Sequence, residues 1–180
     1  MSKDNKNNGM SYRDERDKCY GVASMAVGLE VYHAERLYGG ITIDAEGARC
    51  IHFTPEYYFE GNPRLSPSMV WKHLLSHFRA SVVVAIAGAM GRQVVLEGKQ
   101  PDQEMRDNLL EAAFDDGEAY CQLDRDEVQP IFEEVYNNLL WMFNEDHVHH
   151  AINVMADTLQ KRRSLSRNEV SEMLQRLNIV

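Results

Sequence analysis

From Tyr12 onward, apolar residues recur at helical spacing: Cys19, Val22, Ala23, Ala26, Val27 and Val31 share one side of a helix. Gly39-Gly40 reads as its end, glycine being the residue most easily placed past a C-cap. Ile41-Thr42-Ile43 then alternates, Asp44 to Gly47 supplies turn chemistry, and Cys50-Ile51-His52-Phe53 reads as a returning strand, so a hairpin is predicted. Thr54 to Pro67 holds three of the five prolines together with Gly61 and Asn62 and reads as a long loop. Ser66-Pro67 is an N-cap followed by proline at the first helical position. The helix it opens runs through Trp71, Leu74, Leu75, Phe78 and Val82. Its second half, Val82 to Ala87, is apolar on all sides and predicts burial all round, with Gly98 closing it.

Three further stripes follow. Met105, Leu109, Ala112 and Ala113 predict a helix that starts near Pro101 and weakens at Gly117. Ile131, Phe132, Val135, Tyr136, Leu139, Leu140 and Phe143 predict the next, with Pro130 placed in the first turn, where its missing N–H is harmless. After a break at Asn144 to His147, the third stripe is Val148, Ile152, Met155 and Leu159. A last helix carries Val170, Met173, Leu174 and Leu177 behind the capping box Ser166-Arg167-Asn168-Glu169. The expected fold is mainly α (α+β), one helical domain over residues 12–180 with one small β-hairpin in its N-terminal third. Residues 1–11, rich in Asn, Lys, Asp and Gly, are expected to form a disordered tail.

Composition narrows the function classes. A chain of 180 residues suits one domain. Lys and Arg total 19 against 28 Asp and Glu, and the net charge of −9 repels phosphate, so nucleic acid is not an expected partner. Three widely spaced Cys exclude a disulfide framework and a CxxC zinc knuckle and suit a reducing compartment. The first ten residues hold no apolar signal core, and the longest apolar run, Val82 to Met90, falls short of the roughly 18 residues of a membrane span. A soluble, cytoplasmic protein without a membrane partner is expected.

No phosphate-binding GxxxxGK[ST] loop and no GxSxG nucleophile elbow occurs. The histidines and their neighbours remain. His73 and His77 stand at i and i+4, the zinc-ligand spacing of HExxH, but Leu74 replaces the glutamate; the same spacing also describes two polar residues on a solvent face. Glu30-Val31-Tyr32-His33 is the ExxH of di-iron bundles without the second copy such a site needs. Glu145-Asp146-His147-Val148-His149-His150 is the most metal-like local composition, yet it straddles a helix junction whose caps such residues also satisfy. Cys19, beside Lys18 and Arg16, has no evident histidine partner. Tyr57, Tyr58 and Phe59 in the long loop suit either a protein contact or a lid on the chain's own core.

Several stretches carry a broader likeness. They are His77-Phe78-Arg79 through Ala89 to Gly98, Asp124 to Asn144, Ala156-Asp157-Thr158-Leu159, and Ser164 to Val170. A front helix with Ala23 and Ala26-Val27 precedes the strand Ile41-Thr42-Ile43. Their order, from about Lys18 to Leu177, resembles the peptidase domain of the FtsH-type ATP-dependent zinc metalloproteases. In that family the first helix carries HEAGH, two zinc ligands and a general base. The resemblance places Tyr20 at the first ligand, Gly21 at the base and Ser24 at the second ligand. The family's third ligand, an aspartate, falls on Asp107, with Asn108 equally well in register. The resemblance thus implies a metallopeptidase-like fold emptied of its chemistry, with no cofactor. The family's ring assembly implies a protein partner or self-association, with Tyr57, Tyr58 and Phe59 at the contact. The sequence starts at Met1 without the family's ATPase module and anchor, so no unfoldase is expected on this chain. The alternative is a metallohydrolase whose zinc ligands have moved to His73, His77, His147, His149 and His150, with Asp107 as a further candidate.

Overall fold

In the computed structural model, which describes residues 11–58 and 66–179, six α-helices and three short strands follow one another along the chain. They are α1 (Glu15–Val31), β1 (Tyr38–Thr42), β2 (Ile51–Phe53), α2 (Pro67–Met90), α3 (Gln103–Asp116), α4 (Arg125–Met142), α5 (Asp146–Arg162), β3 (Ser164–Ser166) and α6 (Arg167–Arg176). The fold is mainly α with one small antiparallel sheet. The residues of the expected tail lie outside the described ones except Ser11, whose carbonyl accepts a hydrogen bond from Arg92.

The long helix α1 forms the axis of the core: every residue from Asp17 to Glu30 is buried. It packs against α2, α5 and the widened end of α2. The helix ends eight residues before the expected Gly39-Gly40. His33 adopts a left-handed backbone at φ +54°, and the Ala34 N–H reaches back to the Leu29 carbonyl at 2.9 Å, a Schellman closure built on a non-glycine residue. The glycine pair is instead part of β1. There a side chain on Gly40 would meet the Leu165 carbonyl oxygen at 2.7 Å, so the close approach of β3 requires glycine.

The predicted hairpin is present as β1 and β2, with Ile41 opposite Ile51. It is two-thirds of the sheet. The strand order is β2-β1-β3, and β3, from the far side of α5, pairs antiparallel with the other edge of β1, Ile41 opposite Leu165.

The predicted caps are in place. The Ser66 side chain accepts the Met69 N–H at the start of α2, and Ser166 and Glu169 form the capping box of α6. Pro130 lies in the second turn of α4 rather than the first. The carbonyl that loses its partner there is that of Asp126, an exposed residue. The second half of α2 is buried as expected, and the helix continues past Met90 through a π-helical segment, Gly91–Leu96. By length and composition this continuous helix, Pro67–Leu96, is enough to cross a membrane, which the longest uninterrupted apolar run did not indicate. Its most apolar stretch is 56% buried within the protein, as in a core helix. Helix α3 likewise passes through Gly117 without a break into a π-helical segment, Gly117–Cys121, stopped by left-handed Gln122.

Candidate functional site

The positions that the family resemblance assigns to zinc chemistry lie on α1, facing α5, the N-terminal segment and the widened end of α2. Tyr20 is 6% exposed, and its hydroxyl donates to the Asn153 side-chain oxygen of α5 at 2.5 Å. A side chain at Gly21 would begin 2.8 Å from the Tyr12 ring and 3.1 Å from the Arg92 stem. Ser24 is fully buried, lies against Gly91, and its hydroxyl has no hydrogen-bond partner among the described residues.

Below them a charge network is centred on the buried carboxylate of Asp17. Asp17 accepts the Arg92 Nε at 2.9 Å and the Arg13 guanidinium at 3.1 Å. Arg92 also covers the Tyr12 ring at 5.2 Å. Burial by itself raises the Asp17 carboxyl, but the hydrogen bonds from Arg92 and Arg13 and the Arg92 charge outweigh it and hold the group below the usual carboxylate range. The donor set along this seam does not fit zinc. It offers a phenol already bonded, a residue with no side chain and an alcohol without room around it.

The remaining metal candidates stand apart. Asp107 is exposed on α3, accepts from Gln103 at 2.7 Å and faces Arg106 at 3.7 Å; neighbouring Asn108 is exposed too. Glu30 accepts the buried Tyr38 hydroxyl at 2.6 Å, while His33 lies in the left-handed turn beyond the helix, so the ExxH spacing is not carried on helical geometry. His147, His149 and His150 are inside α5, which begins at Asp146, rather than in a junction loop. His149 donates Nε2–H to the Phe143 carbonyl at 2.6 Å, and His147 and His150 are exposed. His73 is exposed on α2; His77, one turn on, is half-buried and stacks on Tyr57 at 5.5 Å. Among the described residues, no group of three or more His, Cys, Asp or Glu is placed to hold a metal ion.

A cleft of about 650 Å³ opens between β2 with the turn after it, the middle of α2, and the π-helical end of α3. Its wall is aromatic. Phe53 and Tyr57 stack at 3.7 Å, Tyr58 stands edge-on to Tyr57 at 5.2 Å, and the Tyr57 and Ser81 hydroxyls share a 2.6 Å hydrogen bond. Tyr58 and Tyr120 form the rim, 63% and 81% exposed. Phe59 lies outside the described residues. Tyr57, expected in a contact loop, packs inward on Phe53 and His77, whereas Tyr58 points out.

Among the described residues, three titratable groups besides the tyrosines line this space. Burial, with Asp115 beside it, raises the Asp116 carboxyl. Burial, and then Asp116, raises the Cys121 thiol, which stays protonated and weakly nucleophilic. Burial lowers the His77 imidazole, opposed by a hydrogen bond with the Glu56 backbone and reinforced by nearby His73, and so favours its neutral form. Asp116, Tyr120 and Cys121 were not singled out from the sequence. The π-helical segment that turns them to the wall has no periodic signature, and Gly117 reads only as a weak point in a helix.

The fold defines a class, a mainly α domain with a three-stranded antiparallel sheet and an aromatic cleft at its side. No protein-family model matches the chain, and no curated protein sequence matches it.

Proposed function

We propose that this chain is a catalytically inactive relative of the FtsH-type zinc metalloprotease domain that acts through protein–protein contact or self-association. The observation that carries the reading is the state of the ligand register. Tyr20 is bonded to Asn153, Gly21 is covered by Tyr12 and Arg92, and Ser24 is pressed against Gly91. Space that a zinc ion and a substrate carbonyl need is taken by helix packing. Large exposed side chains, Tyr58, Tyr120, Trp71 and Trp141, supply the kind of surface that contacts use. A cytoplasmic setting agrees with three free thiols, Cys19, Cys50 and Cys121.

The test joins metal analysis to mass in solution, both on untagged protein. The expected result is zinc far below one per chain and a mass above that of a monomer, reduced when Tyr58 and Tyr120 are changed to Ala. Stoichiometric zinc that disappears in a His73→Ala/His77→Ala or His147→Ala/His149→Ala/His150→Ala variant would favour the relocated metallohydrolase instead. A monomer at all concentrations overturns self-association and leaves contact with a different protein as the form to be tested by cross-linking.

A further inference from the structure

We propose that the aromatic cleft beside α2 binds a small organic cation, an ammonium or amidinium group carried on an apolar body. Its volume of about 650 Å³ is that of a small-molecule site. Phe53, Tyr57, Tyr58 and Tyr120 line it, with Tyr57 stacked on both Phe53 and His77, and aromatic rings attract cations through the negative quadrupole of their faces. Among the described residues that line it there is no Lys or Arg, and its one carboxylate is Asp116. Three arginines of the neighbouring helices are matched to other acids, Arg79 to Glu134, Arg125 to Glu111 and Arg106 to Glu133. The side chains of Asp115 and Asp116 have no ion pair or hydrogen bond among the described residues.

The other facing groups do not change that sign. Burial favours the neutral form of His77, the Cys121 thiol is kept protonated, and the tyrosines are uncharged at neutral pH. An anion meets Asp116 and the chain's net charge of −9. A neutral apolar ligand leaves the Asp116 carboxylate drier and uncompensated. A cation alone satisfies both the rings and the carboxylate. The inference goes beyond the contact reading but shares with it the rim residues Tyr58 and Tyr120, so the titration is read beside the mass in solution, and Asp116→Asn, which the contact reading does not use, separates the two.

The experiment compares three probes of nearly equal shape, benzylamine, benzyl alcohol and benzoate, titrated into the full chain by NMR at neutral pH. Benzylamine is expected to bind about tenfold more tightly than benzyl alcohol, benzoate is expected not to bind, and shifts should map to Tyr57, Tyr120 and Cys121. Asp116→Asn, which keeps the side chain's size and shape, should keep the fold by circular dichroism and lose most of the preference for the amine. Tyr120→Ala should weaken all binding of the amine several-fold. Equal affinity for amine and alcohol, tighter binding of benzoate, or an unchanged preference in Asp116→Asn would each overturn the proposal.

Discussion

Gly91 lies against Ser24 so closely that a methyl group placed on Gly91 would come within 1.8 Å of the Ser24 hydroxyl oxygen and 2.3 Å of its Cβ. Two helices meet at this point with no slack. Gly91→Ala should therefore cost about 2 kcal/mol through overpacking. Ser24→Ala removes a buried hydroxyl that has no partner and should be neutral or stabilising by up to about 1 kcal/mol. The double variant should recover part of the Gly91→Ala loss. Urea denaturation of all four proteins measures this coupling, and strictly additive changes would contradict the packing described.

The Asp17–Arg92 pair sets an acid limit. Asp17 is 1% exposed, and Asp17→Asn, which leaves Arg92 buried without its counter-charge, should cost about 3 kcal/mol. The folded carboxyl titrates below its unfolded value. Its contribution is thus complete above the ordinary carboxylate range and disappears as pH falls below about 4. Glu169, brought down from 4.5 to about 2 mainly by the Ser166 backbone and hydroxyl, adds to stability loss in the same direction over that interval. Thermal midpoints taken from pH 6 to pH 2 should fall more steeply for the natural protein than for Asp17→Asn. Parallel curves would count against the network.

Writing HExxH back into α1 should fail. Tyr20→His, Gly21→Glu and Ser24→His together force a long side chain to start 2.8 Å from the Tyr12 ring and an imidazole into a fully buried site. The triple variant should lose its cooperative unfolding transition and take up no zinc. Circular dichroism and metal analysis decide the matter, and a folded product with one zinc per chain would show that the seam has room. Tyr20→Phe alone, which leaves Asn153 without its donor, should cost only about 1 kcal/mol.

The thiols should differ in reactivity. Cys19 is 1% exposed with its pKa pushed up to about 11 by burial, and Cys50 is fully buried. Cys121 is half-buried at the cleft. Alkylation of the native protein near pH 8 should label Cys121 alone, slowly, with all three labelled in urea. Intact-mass measurement reads the count. Rapid labelling at Cys19 would contradict the burial of α1.

Where local chemistry decides structure, the sequence was a sufficient guide. Ser66-Pro67 and Ser166 to Glu169 announce helix starts because the capping atoms lie within a few residues of the groups they satisfy. The apolar block from Val82 to Ala87 announces a core helix for the same reason. What escaped depends on distant partners. Ser164-Leu165-Ser166 is too short and too polar to read as a strand, and becomes one only because Gly40 admits it. His33 closes a helix in a role expected of glycine, which moved the helix boundary. At the cleft, Tyr57 and Tyr58 stand out in the sequence as aromatics, but Asp116, Tyr120 and Cys121 join them only through the π-helical turn at the end of α3. His77 was legible as half of a ligand pair, and its observed stacking partner is a tyrosine from a different segment.

The middle strand of the sheet has consequences for how the chain matures. Ile41 pairs on one side with Ile51, ten residues away, and on the other with Leu165, near the opposite end of the described chain. During synthesis β1 therefore waits with one edge bare while four helices emerge from the ribosome. That edge is narrow, with two glycines, and offers little apolar surface to a neighbouring nascent chain. Folding is completed late, by a contact of high sequence separation, and a release of the protein before β3 is made leaves a strand open to pairing with another copy.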